Sequence, residues 1–95
     1  MGRSELCIFS KHATDRMVER KIKKTDVLLA LKNGIVIEIK ENSKPCTHCL
    51  ILGHTSKGKP LHVAVALVPD GVLILTTYEP YAKIWGENFD KKVVK

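Results

Sequence analysis

Thr25-Asp26-Val27-Leu28-Leu29-Ala30-Leu31-Lys32-Asn33-Gly34-Ile35-Val36-Ile37-Glu38-Ile39-Lys40 contains the change of period that decides the fold. Before Gly34, Val27, Leu28 and Leu31 fall at the three-to-four spacing that lines one face of a helix. Thr25 suits an N-cap, and Asp26 in the first turn suits the positive end of the helix dipole. Gly34 follows Asn33 where a helix ends on a C′ glycine. Beyond Gly34 the period drops to two: Ile35, Ile37 and Ile39 share one face of a strand. A helix is predicted over residues 25–33 and a strand over 35–40.

Upstream, Ser10 reads as the N-cap of another helix over residues 11–21. Phe9, Ala13 and Met17 recur every four residues on its apolar side. His12, Arg16, Glu19, Arg20 and Lys23 lie on its polar side, with His12, Arg16 and Arg20 spaced i, i+4, i+8. Downstream, residues 48–54, 61–68 and 72–78 read as strands. A polar loop (41–45), a loop around Gly58 and the turn Pro69-Asp70-Gly71 separate them. In the third strand Leu61, Val63, Val65 and Leu67 share one face, and His62, Ala64 and Ala66 the other. Residues 81–89 read as a loop or short helix, with Trp85 as a core anchor or a stacking platform, and 90–95 as a basic tail.

The expected fold is therefore α+β, with two N-terminal helices covering one face of a four-stranded antiparallel sheet. The other face is left for a ligand. The 95 residues suit one domain over 1–95. No apolar run approaches the roughly 20 residues needed to span a bilayer. The opening Gly2-Arg3-Ser4-Glu5 does not read as a signal peptide. A cytoplasmic protein without membrane contact is expected.

The net charge is +6, from 16 basic and 10 acidic residues, which favours an anionic partner, nucleic acid first. Cys7, Cys46 and Cys49 are an odd set, unsuited to a disulfide framework. Cys46-Thr47-His48-Cys49 offers one CxxC without a second pair, short of the four ligands of a structural zinc site. No metal or cofactor is expected.

Four residues carry the expected chemistry. RNA cleavage through its own 2′-hydroxyl needs a base, an acid and a cation facing the phosphate. His12 and Arg16, one helical turn apart, offer an imidazole and a bidentate phosphate clamp. His62 lies mid-strand beside the small Ala64 and Ala66, which leave a shallow groove. Tyr78 ends the last strand, where it can stack on a base or bond a phosphate. Each also has a plainer reading, as a solvated helix face, a satisfied half-buried histidine or a core cap.

Phe9-Ser10-Lys11-His12-Ala13, Arg16-Met17-Val18-Glu19-Arg20-Lys21-Ile22, Asp26-Val27, Asn33-Gly34, Leu50-Ile51-Leu52-Gly53, Lys59-Pro60-Leu61-His62-Val63, Thr77-Tyr78-Glu79-Pro80 and Trp85 together resemble a prokaryotic family classed as a domain of unknown function. The resemblance runs from residue 9 to about residue 90. That family looks like a branch of the RelE/BrnT-like toxins, compact α+β ribonucleases that stop translation by cutting mRNA. The resemblance implies metal-independent cleavage of mRNA. It also implies a cognate antitoxin, since members often sit beside a small antitoxin gene with a zinc-finger segment. Carried over by motif, His12, Arg16, His62 and Tyr78 would be catalytic, and Lys11, Glu19, Arg20 and Thr77 would bind substrate. At Cys46-Thr47-His48-Cys49 the chain departs from the family, which more often has a proline followed by a serine or cysteine pair without a metal role. The competing readings are a non-catalytic binder of nucleic acid or protein, and a small zinc-binding regulator.

Overall fold

A computed structural model describes residues 6–41, 46–69 and 71–80. The chain runs β1 (Leu6–Phe9), α1 (Lys11–Arg20), α2 (Lys24–Asn33), β2 (Ile35–Lys40), β3 (His48–His54), β4 (Pro60–Val68) and β5 (Gly71–Tyr78). The sheet order is β1-β5-β4-β3-β2. Strands β2 to β5 pair antiparallel, as the short connections between β3, β4 and β5 require.

The expected four-stranded antiparallel sheet is corrected to a five-stranded mixed one. Strand β1 pairs parallel with β5, in register from Leu6 with Gly71 to Phe9 with Ile74. Four apolar residues carry no period of their own, and the strand that accepts them lies at the far end of the described chain. Phe9 accordingly belongs to a strand, not to the helix that follows.

Helix α1 begins as expected. The Ser10 side chain accepts from the Ala13 N–H at 3.0 Å, and Ala13 and Met17 are buried beneath the helix. Its end is set by Lys21, in the left-handed region at φ 57°, with its N–H turned back onto the last helical carbonyls. The expected Thr25 cap is corrected: α2 starts at Lys24, with Lys23 at the cap position and no side-chain cap. Asp26 instead accepts from the Ser56 N–H at 3.0 Å, tying the β3–β4 loop to the start of α2.

Gly34 does close α2, but in extended backbone (φ −83°, ψ 178°), not in the left-handed form. Close packing accounts for it. A Cβ there would collide with the carbonyl oxygens of Ala30 and Leu52. Gly53 works the same way, since a Cβ would run into the backbone and Cβ of Ala30. These two glycines let α2 lie directly on β3.

The core sits between the helices and one face of the sheet. Ala13, Met17, Val27 and Ala30 pack on Leu61, Val63, Val65 and Ile74. Leu61, Val63 and Val65 share that face, as the alternation predicted. Two bulges interrupt it elsewhere. In β5, Ala64 faces Thr76 and Val65 faces Ile74, so Leu75 is the extra residue. In β2, Val36 faces Ile51 and Glu38 faces Leu50, so Ile37 is extra. The expected single face of Ile35, Ile37 and Ile39 is therefore broken: Val36 and Ile39 sit on the helix side and Glu38 and Lys40 on the other.

Candidate active site on the sheet face away from the helices

The face of the sheet turned away from α1 and α2 carries a cleft of about 260 Å³. Its walls come from four strands: Glu38 and Lys40 of β2, His48 and Leu50 of β3, Ala64 of β4, and Thr76 and Tyr78 of β5. Register explains the grouping. Glu38, Leu50, Ala64 and Thr76 form one row across the sheet, and Lys40 stands opposite His48 in the next. Residues in one row of a pleated sheet project to the same side. The small Ala64 makes the floor, and the β5 bulge adds Leu75 to the lining.

Tyr78 stands at the cleft, with His62 beside it on β4. The Tyr78 hydroxyl lies 3.3 Å from Nδ1 of His62, and the tautomer sets which group donates. The rings meet edge to face, with centroids 5.3 Å apart. His62 is wholly buried. Burial pushes the Tyr78 phenol above its ordinary pKa. The Glu38 carboxylate pushes it further, and Arg20 opposes them. Tyr78 is thus kept as a neutral hydroxyl that holds its proton more firmly than a free tyrosine.

A second layer holds this pair. Thr77, also wholly buried, donates from Oγ1 to the His62 carbonyl at 2.7 Å. Arg20 reaches from the end of α1 and donates to the Thr77 carbonyl at 2.9 Å. Of the expected site residues, the structure therefore brings together His62, Thr77, Tyr78 and Arg20. Thr77 and Arg20 bond backbone carbonyls there, so both hold the strand end in place.

The other four lie on α1, whose buried side faces the opposite surface of the sheet. Lys11 pairs with Asp15 at 3.1 Å and Arg16 with Glu19 at 2.8 Å, both within the helix. His12 is exposed. None of these four lines the cleft. Glu38 and Lys40 were not singled out from the sequence for chemistry, and His48 entered only as part of the Cys46-Thr47-His48-Cys49 metal motif. The alternation of Glu38 and Lys40 in an apolar strand was the available signal, but their neighbours depend on strand register.

Cys7, Cys46 and Cys49 are free thiols, and burial raises the pKa of Cys7, with Lys24 opposing. Among the described residues no three histidine, cysteine or acidic side chains are grouped to hold a metal. Trp85, the 42–45 loop and Asp70 of the expected turn lie outside the described residues. No helix among them is long and apolar enough to cross a membrane.

Residues 9–79 match the family model described as domain of unknown function DUF4258. The chain belongs to the DUF4258 family. The matched segment begins at Phe9 in β1 and ends one residue past Tyr78, so it spans α1, α2, every strand from β2 to β5, and the cleft. No curated protein and no solved structure matches the chain. DUF4258 membership therefore leaves the chemistry to be argued from the cleft itself.

Proposed function

We propose that this DUF4258 protein is a metal-independent endoribonuclease of the RelE/BrnT-like toxin type, and that it cuts mRNA in the cleft on the sheet face away from the helices. The observation that carries the reading is the Tyr78–His62 pair at a cleft that also holds Glu38, Lys40 and His48. These are the group types that 2′-hydroxyl cleavage uses. A carboxylate or a neutral imidazole, from Glu38 or His48, removes the 2′-hydroxyl proton. The 2′-oxygen then attacks the adjacent phosphorus, and the bond to the 5′-oxygen breaks. The departing oxygen takes a proton, for which the neutral Tyr78 hydroxyl is suited, and His62 can supply its replacement. Lys40 faces the negative charge that gathers on the phosphate. The products are a 2′,3′-cyclic phosphate and a 5′-hydroxyl.

On this reading the partners are mRNA and a cognate antitoxin. The net charge of +6 supports both an RNA strand and an acidic protein as ligands. The test is incubation of the purified protein with RNA in the presence of a chelator, followed by end-group analysis. Cyclic phosphate and 5′-hydroxyl ends are expected, lost with Tyr78→Phe. In a bacterium, induction should halt growth and degrade mRNA, and co-expression of the neighbouring gene should relieve both. Intact RNA bound to the protein would support the non-catalytic binder instead.

A further inference from the structure

Among the described residues strand β2 is an edge of the sheet, and Ile35, Val36 and Ile39 on it are 60%, 52% and 57% exposed. Among the described residues, helix α2 packs chiefly on β3 and β4. An edge strand offers a row of unpaired backbone donors and acceptors, and one with exposed isoleucines invites a further strand. The order of charges on β2 says which strand. Its regular segment, past the bulge, is Glu38-Ile39-Lys40, paired with Leu50, Cys49 and His48 on its inner side.

We propose that β2 pairs antiparallel with β2 of a second copy, about a two-fold axis through Ile39. In such a pairing the residue before the axis faces the residue after it on the other chain. Glu38 then stands opposite the partner's Lys40, and Lys40 opposite the partner's Glu38. One symmetry operation yields two opposite-charge cross-strand pairs. An axis through Glu38 or Lys40 would set like charges against each other, and one through Ile37 would set Glu38 against Val36. The axis through Ile39 also lays the two exposed isoleucines side by side, and it avoids the bulge at Ile37.

The pairing bears on the cleft. Glu38 and Lys40 line it and also form the outer strand of the sheet. Joined at β2, the two cleft-bearing faces lie on the same side of one continuous sheet. The partner's Lys40 then adds a cation beside Glu38, at the rim where a polyanion would enter.

The test reads mass and not RNA cleavage, so it succeeds or fails apart from the ribonuclease proposal. Light scattering of the full chain in concentrated solution should give twice the 10.6 kDa chain mass. Glu38→Lys and Lys40→Glu, each alone, should weaken the dimer roughly tenfold or more by placing like charges opposite one another. The double swap Glu38→Lys/Lys40→Glu should restore it. A second probe is Ile39→Cys in a chain whose three other cysteines are serine. Residues directly opposite in an antiparallel pair have Cα atoms about 4.5–5.5 Å apart, within disulfide reach. Oxidation should therefore link two chains through position 39. A chain monomeric throughout overturns the proposal. So does a dimer indifferent to both single reversals, or one that the double swap does not restore.

Discussion

The Tyr78 hydroxyl and Nδ1 of His62 sit 3.3 Å apart, on neighbouring strands that place the two residues directly opposite each other. The contact joins a buried ring to one at the edge of a cleft. It links a buried histidine to the cleft on the same face of the sheet, where a substrate would lie.

Tyr78→Phe separates chemistry from packing. Phenylalanine keeps the ring against His62 and removes only the hydroxyl. Loss of one hydrogen bond costs about 1 kcal/mol of stability. Loss of a proton donor in general acid catalysis costs roughly 100-fold or more in rate. Single-turnover RNA cleavage and urea unfolding on the same preparations check this. A Tyr78→Phe enzyme cutting at the parent rate would remove Tyr78 from the mechanism.

The raised Tyr78 pKa makes stability depend on alkaline pH. Burial favours the neutral phenol in the folded chain, so its folded value lies above the ordinary 10.0. The stabilisation is complete below the unfolded value and is lost as pH rises through the folded one, because the unfolded chain then releases the proton more readily. Unfolding free energy should fall more steeply above about pH 10 in the parent than in Tyr78→Phe. Denaturant titrations across that range check the sign, and a parallel fall in both proteins would contradict it.

Two glycines should respond very differently to alanine. At Gly53 the new methyl meets the backbone of Ala30, so α2 must move off β3. Overpacking of that kind costs about 1–3 kcal/mol or more. At Gly58 the methyl meets open space, and only its φ of +81° is unfavourable. That strain costs about 1 kcal/mol. Melting curves of the two variants should rank Gly53→Ala clearly below Gly58→Ala.

Arg16 and Lys40 tell the helix stripe from the cleft. Arg16 is partly exposed and pairs with Glu19 on α1, while Lys40 lines the cleft. If the reaction takes place in the cleft, Lys40→Ala should cut the cleavage rate roughly 100-fold, the order expected for removing a group that stabilises developing charge. Arg16→Ala should then leave cleavage within about twofold, and stability within ±0.5 kcal/mol as for other surface changes. The reverse ranking in the same assay would move the site to α1.

The local pattern alone was enough to place α1, α2 and the four strands β2 to β5. Helix and strand periods depend on neighbours a few residues apart, and Ser10, Gly34 and Gly58 mark element ends within the same reach. It also placed His62, Ala64 and Ala66 together, opposite the core face of Leu61, Val63 and Val65. What it could not place depends on residues distant in the chain. Strand β1 exists as a strand only because β5 accepts it. The bulges at Ile37 and Leu75 shift faces through pairing geometry, which no period reveals. Arg20 looked like part of a free cationic stripe, but it donates to the Thr77 carbonyl, and Thr77 is buried beneath. Glu38, Lys40 and His48 share a cleft with Tyr78 because three strand registers set them on one face of the sheet. Register is settled by the packing of the whole sheet against the helices, so the cleft is a property of the folded chain.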